Sequence, residues 1–311
     1  MKKCAVIYNP TSGKSLPKGF LTEVVTILME YGYEPNVIYS KYKGHIIEIV
    51  KGVEAVELLV SLGGDGTFNE VMTGNLARKD RLLLAHIPVG TTNDIGVMFG
   101  YGKNVIDNLK LLLSDGCEKE MDICLVNERP FVYVAGFGKF MNIPYDTKRE
   151  TKKKLGYLAY VFQAFRSLKS RTRLYDVTYV IDGEEYNGLY SFMLIGNATR
   201  IAGINNFFYD VKLDDDRFEV LLCNLRMKQD IVKTLYYLGK TSIDKVPGFY
   251  FHKTDNLKIK FNSTERISWC LDGEKFESDN NEFNISVLRN VRIMLPKKNV
   301  DLLFEKNDIN L

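Results

Sequence analysis

Between Cys4 and Leu113 short apolar runs alternate with amphipathic stretches, and this alternation leaves the chain few architectures. Cys4–Tyr8, Asn36–Tyr39, Leu58–Leu62 and Leu82–Ile87 read as strands. Phe20–Tyr31, Ile46–Lys51, Thr67–Ala77 and Val105–Leu113 read as helices. The first helix puts Phe20, Val24, Ile27, Leu28 and Tyr31 on one face. Strand then helix, repeated at this pitch, predicts a doubly wound parallel sheet with helices on both sides. Such sheets take their ligands at the carboxyl ends of the strands. Three loops leave those ends, 9–14, 63–69 and 88–94, and all are rich in Gly, Thr, Ser or Asn.

The middle loop, Gly63-Gly64-Asp65-Gly66-Thr67-Phe68-Asn69, follows a buried-strand run and precedes a helix. Glycines there let backbone N–H groups approach a phosphate, and a helix N-terminus favours the anion. An Asp would repel a bare phosphate but suits a cation, or water on a cation, beside it. Taken alone, the stretch serves equally well as a tight turn with a solvated Asp.

After Ile123 strand-like runs dominate: Phe131–Ala135, Tyr175–Ile181, Ser191–Ile195, Phe218–Cys223, Leu257–Phe261, Ile267–Leu271, Phe283–Val287 and Val291–Leu295. The Asp-Gly pairs at 182–183 and 272–273 signal hairpins. Helical patterns interrupt near Leu155–Leu168 and Lys228–Gly239. The expectation is an α/β domain over 1–123 and a mainly antiparallel β-sandwich over 124–297. A tail over about 298–311 returns to the first domain.

At 45% hydrophobic residues the chain can fill two cores, yet no window approaches the roughly 18 unbroken apolar residues of a membrane span. The basic start before Cys4–Tyr8 reads as a first strand, not a signal peptide. Cys4, Cys117, Cys124, Cys223 and Cys270 lack pairing or metal-ligand spacing and read as thiols of a reducing cytosol. The scattered His45, His86 and His252 argue against a zinc site or a His triad. Residues 148–173 carry nine basic side chains against Glu150, a local charge of +8 in a chain of net +3. The rest is therefore acidic overall, and the patch points to an anionic partner.

Four elements stand in order: Asn9-Pro10-Thr11-Ser12-Gly13, Gly63 to Glu70, Pro88-Val89-Gly90-Thr91-Thr92-Asn93-Asp94, and Leu271-Asp272-Gly273-Glu274. Lys212-Leu213-Asp214-Asp215-Asp216 lies before the last. Together, from Tyr8 to about Leu295, they resemble the diacylglycerol kinase catalytic-domain family, above all its soluble bacterial lipid kinases. The resemblance implies a nucleotide domain like that of NAD kinase and phosphofructokinase, a lipid-substrate domain, and ATP in a cleft. It implies ATP contacts from Asn9, Pro10, Thr11, Ser12, Gly13, Ser40, Gly63, Gly64, Asp65, Gly66, Thr67, Asn69 and Thr91. Asp65, Asp94 and Asp122 match the acidic group around a catalytic Mg²⁺, held through water. Each of the three reads as lying just past a strand or in a strand-end loop. Glu274 matches the general base, with Asp272 its nearest competitor; alone, Glu274 reads as a solvated turn residue. Lys212, Asp215 and Arg217 match a structural Mg²⁺ loop, in which this chain has Asp216 where the pattern has Gly.

The implied reaction moves the γ-phosphate of ATP to a lipid hydroxyl, most simply that of diacylglycerol. Phosphatidylglycerol or a sphingoid base stays open as acceptor. NAD kinase shares the Gly-Gly-Asp-Gly loop but fits 88–94 and 271–274 less well, and a non-catalytic nucleotide or lipid sensor is the alternative outside enzymes. The run Lys152-Lys153-Lys154, the apolar Leu155–Phe162 and the cations at 166–173 suit transient contact of a cytoplasmic enzyme with an anionic membrane. The same helix suits a core with solvated ends. No recognition module accompanies the patch, so nucleic acid is not expected. Edge strands of the second domain could pair across a homodimer.

Overall fold

The computed structural model describes residues 1–10, 17–138, 173–201, 203–205, 207–224, 245–263 and 265–305. These fall into two compact units. One comprises Met1–Ile123, Lys212–Asp215 and Leu288–Leu311; the other comprises Cys124–Val211 and Asp216–Val287. The return to the first unit thus begins at Leu288, ten residues before the tail expected from the sequence, and Lys212–Asp215 also groups with it.

The first unit runs β1 (Lys2–Tyr8), α1 (Phe20–Glu30), β2 (Tyr33–Tyr39), α2 (His45–Gly52), β3 (Leu58–Gly63), α3 (Asp65–Leu76), β4 (Leu84–Pro88), α4 (Asp94–Met98) and α5 (Val105–Asp115). The strands are parallel in the order β2-β1-β3-β4, with Tyr8 opposite Tyr39 and Leu62, and Leu62 opposite Ile87. Every residue of β3 and β4 is buried, as expected of strands covered on both faces. Helix α1 buries Phe20, Val24, Ile27 and Leu28, whereas Tyr31 becomes its exposed C-cap. α5 is capped by Asn104, whose side chain accepts from the N–H groups of Ile106 and Asp107. α4 was not expected; five residues are too few to show a helical period.

A long strand, β5 (Gly116–Val126), leaves the first unit. The sequence reading missed it because Glu118, Lys119, Glu120 and Asp122 break the apolar run. Asp122 therefore lies within a strand and not past one, which corrects its expected placement.

The second unit contains β6 (Arg129–Phe131), β7 (Val134–Gly138), β8 (Tyr175–Ile181), β9 (Glu184–Tyr190), β10 (Phe192–Gly196), the short pair β11 (Arg200–Ile201) and β12 (Ile204–Asn205), β13 (Phe218–Cys223), β14 (Phe249–Thr254), β15 (Asn256–Phe261), β16 (Ile267–Leu271) and β17 (Glu274–Ser278). The final strand, β18 (Glu282–Pro296), is one element where two were expected. Its first half pairs with β15, and its second half continues into the first unit beside β4. Asn290 takes a positive φ of 61° within it, so a polar break that resembles a turn is absorbed by the strand.

One antiparallel sheet of this unit has the order β14-β13-β10-β7-β16-β17, and β15 pairs with β8, which pairs with β9, in another. Phe137 and Trp269 of the first sheet meet Phe261 and Phe283 of the second with ring centroids 4.7–6.4 Å apart. The core of a sandwich lies between them. Both expected Asp-Gly hairpins form. Asp182 and Gly183 have φ of 53° and 85°, and Asp272 and Gly273 have 47° and 85°, the left-handed pair of a type I′ turn.

Among the described residues no helix is long and apolar enough to cross a membrane. All five cysteines are thiols outside any disulfide, and four are buried. The helices expected near 155–168 and 228–239, and all of the basic segment 148–173 except Arg173, lie outside the described residues.

Candidate nucleotide and catalytic site

The carboxyl ends of β2, β1, β3 and β4 stand side by side, because the strands are parallel and in register. Ser40 follows β2, is buried, and donates its N–H to Tyr8 O at 3.0 Å. Asn9 follows β1; its Nδ2 donates to Thr67 Oγ1 at 3.3 Å, tying the first loop to α3. Pro10 is exposed. Thr11, Ser12 and Gly13 lie outside the described residues.

After β3 the chain turns through Gly63 and Gly64 into α3. Gly64 is the N-cap and, being a glycine, supplies no side-chain cap. A helix start of this kind suits an anion. The loop after β4 packs against this turn more closely than any side chain would permit. A Cβ on Gly90 would stand 2.7 Å from Gly64 Cα and 2.6 Å from Asn93 Oδ1. Val89 N–H donates to Gly63 O at 2.7 Å, fixing the two loops together.

Asp65 completes the link. Its Oδ2 accepts from Asp94 N–H at 3.0 Å and its Oδ1 from Ile95 N–H at 3.1 Å. The carboxylate thus caps α4, a role that the N-cap residue leaves open. Asn93, with φ of 50°, instead turns its Nδ2 back to Gly90 O. Negative charge at that helix start is favourable. Asp94 and Asp122 are buried, at 2% and 3% exposure, and Thr91 is exposed. Gly66 and Asn69 are half-buried in the first turns of α3, and Thr67 is buried.

Among the described residues no three His, Cys, Asp or Glu side chains form a direct metal site. With both Asp65 oxygens committed to backbone donors, the donor set fits a hydrated ion touched through water. That matches the reluctance of Mg²⁺ to lose its shell.

The 212–217 loop is tied into the first unit at its start. Asp122 N–H donates to Leu213 O and Leu213 N–H to Leu303 O, while Asp214 Oδ1 accepts from Glu305 N–H at 2.8 Å. Phe304 is buried, just after α6 (Val300–Leu303). Asp214 is the buried acid of this run and Asp215 the half-exposed one. Lys212 Nζ donates to Asp301 O, and Arg217 is exposed. Asp216 adopts φ of 63°, the left-handed turn for which the family pattern has Gly.

In the second unit the β16–β17 hairpin separates two acids by role. Asp272 is 4% exposed; its Oδ2 accepts from Val132 N–H, and its Oδ1 accepts from Tyr133 and Val134 N–H, both at 3.0 Å. Its own N–H donates to Val134 O. It is a clamp that fixes the hairpin on 132–134. Glu274 opens β17 opposite Leu271 and is exposed. Asp272 is thus committed to backbone donors, whereas Glu274 is the exposed carboxylate of the hairpin.

Two participants were not among the expected contacts. Gly90 lies inside the Pro88–Asp94 motif, where only a glycine permits the loop contact. Glu70, directly after Asn69, accepts from Gly44 N–H through Oε1 at 3.1 Å and so holds the start of α2. The Gly-rich motif ending in Asn-Glu was the available signal for it.

Residues 3–126 match the family model described as the diacylglycerol kinase catalytic domain. The chain is 28% identical over 307 residues to a diacylglycerol kinase of Bacillus subtilis (strain 168), covering 97% of this chain and 99% of that one. To a diacylglycerol kinase of Staphylococcus carnosus (strain TM300) it is 28% identical over 306 residues, covering 97% and 98%. A crystal structure described as a diacylglycerol kinase from Bacillus anthracis str. Sterne superposes with a TM-score of 0.74 at 21% identity, over 96% of this chain and 98% of that one. At that identity the likeness concerns the fold.

Proposed function

We propose that the chain, whose residues 3–126 match the diacylglycerol kinase catalytic domain, is a kinase that transfers the γ-phosphate of ATP to the hydroxyl of diacylglycerol, giving phosphatidic acid. The observation that carries the reading is the glycine-to-glycine contact of the β3 and β4 loops, with the Asp65 carboxylate binding them into one rigid edge. A helix start led by glycine and flanked by acids suits a polyphosphate with its cation.

In this reading ATP lies along Asn9–Gly13, Ser40, Gly63–Asn69 and Thr91, with its phosphates at the α3 N-terminus. The lipid oxygen forms its bond to the γ-phosphorus as the bond to the β–γ bridging oxygen breaks, and ADP leaves. The hydroxyl proton passes to Glu274. Asp65, Asp94 and Asp122 would hold Mg²⁺ through water, where it would neutralise charge on the transferring phosphates. Asp215, with the carbonyls of Lys212 and Arg217, would hold a second, structural ion. Segment 148–173 would meet the anionic leaflet that carries the lipid, from the cytoplasmic side.

The test is ATP consumption with Mg²⁺ over mixed micelles of diacylglycerol, phosphatidylglycerol, sphingosine, ceramide or monoacylglycerol, with NAD offered separately. Turnover with diacylglycerol is expected. Turnover with NAD alone would remove the lipid from the account and leave the nucleotide site.

A further inference from the structure

Beside the phosphate edge the structure carries an aromatic pair that no step above uses. Tyr42 is 57% exposed, yet it is held from several sides. One face stacks on His45, with centroids 4.6 Å apart and planes 19° from parallel. The hydroxyl donates to Glu48 Oε2 at 2.7 Å. His45 is itself fixed, because its Nδ1 accepts from Lys41 N–H at 3.0 Å. Between them Gly44 N–H is anchored to Glu70 of α3, and Ser40 N–H to Tyr8. The ring's conformational entropy is thus already lost in the free protein, and one of its faces points to solvent.

Its place in the fold gives this a use. The loop 40–45 leaves the carboxyl end of β2, two strands from β3 in the order β2-β1-β3. Two strand spacings are about 10 Å. That is comparable to the span from the phosphates of a nucleotide to its base. A nucleotide with its phosphates on the α3 N-terminus, lying across β1, brings its base to this loop. We infer that Tyr42, backed by His45, is the stacking platform for the nucleobase and makes the site prefer a nucleotide over a bare polyphosphate. The inference rests on the nucleotide reading of the 63–69 loop. Glu70 serves it as a positioning residue, through Gly44.

The test measures equilibrium binding of ATP and of tripolyphosphate to the full chain and to Tyr42→Ala and Tyr42→Phe. A base stacked on an aromatic ring corresponds to about a ten-fold gain in affinity. Tyr42→Ala should weaken ATP by about that factor and leave tripolyphosphate unchanged. Tyr42→Phe, which keeps the ring and loses the bond to Glu48, should bind ATP like the parent. If Tyr42 only braces the start of α2, Tyr42→Phe will follow Tyr42→Ala, or tripolyphosphate will weaken equally, and the inference fails. Equal ATP affinity in Tyr42→Ala also overturns it. Failure of the unmodified chain to bind ATP would instead contradict the kinase reading, and this inference with it.

Discussion

At the scale of single residues, the site depends on groups whose neighbours leave them no alternative. Gly90 is one. Gly90→Ala forces a Cβ against Gly64 Cα, backbone on backbone, so the loops must part. A loss of about 1–3 kcal/mol and weaker ATP binding are expected. Gly52→Ala, with nothing within 4 Å of its Cβ, is the matched control and should be neutral or slightly stabilising. Urea denaturation of the two variants decides the point. His86 is another. It is fully buried on β4 against Phe68, with Nδ1 near Ser61 Oγ, and burial lowers its pKa to about 3. The unfolded chain takes up the proton near pH 6.5 while the folded chain refuses it, so this histidine costs stability as pH falls from 6.5 toward 3. Against His86→Leu, in which other titrations cancel, the parent should lose roughly 2 kcal/mol more between pH 6.5 and 5. Parallel pH profiles would mean that the imidazole is protonated in the fold. The sequence made Gly63–Asn69 legible as the turn from β3 into α3. It did not reveal that Asp65 spends both oxygens on α4, because that bond exists only once two distant loops meet.

Among the elements, those with strict local requirements were readable and those defined by tertiary context were not. The Asp-Gly hairpins follow from the φ values that a two-residue turn demands. β5 was hidden by its charged residues, and α4 by its brevity. β18 was split in the reading because Arg289-Asn290 looks like a turn, although Asn290 simply takes the left-handed conformation and the strand continues. The β16–β17 hairpin shows what sequence spacing cannot assign. Asp272 and Glu274 are equivalent carboxylates on paper, and three backbone donors from 132–134 separate them. Asp272→Ala leaves those N–H groups buried without their acceptor, and a loss of roughly 3–5 kcal/mol is expected by chemical denaturation. Asp272→Asn, which keeps one acceptor oxygen, should fall between. A change under about 0.5 kcal/mol, the usual size at an uninvolved surface position, would mean the clamp is not structural.

For the whole molecule, the composition break near residue 123 anticipated the change from α/β to β-sandwich, but not the return of Lys212–Asp215 and Leu288–Leu311 to the first unit. Those returns depend on hydrogen bonds such as Asp214 with Glu305, which no local pattern announces. Charge distribution makes a separate prediction. If residues 148–173 meet the lipid surface, replacing Lys152, Lys153 and Lys154 with Ala should reduce cosedimentation with anionic vesicles, on the order of 1 kcal/mol per cation at low salt. ATP binding should be unchanged, and the difference should shrink as salt rises. Arg173, paired with Glu265 and lying over Tyr175, is engaged within the second unit and is expected to contribute least. The central claim is phosphoryl transfer to a lipid hydroxyl with Glu274 taking the proton. Its most direct measurement follows label from γ-labelled ATP into phosphatidic acid in diacylglycerol micelles, for the parent and for Glu274→Gln. The account predicts labelled product from the parent and a loss of at least a hundred-fold in kcat, with ATP affinity retained, in the variant. Undiminished transfer by Glu274→Gln would contradict the assigned base, and no labelled lipid from folded, ATP-binding parent would contradict the reaction itself.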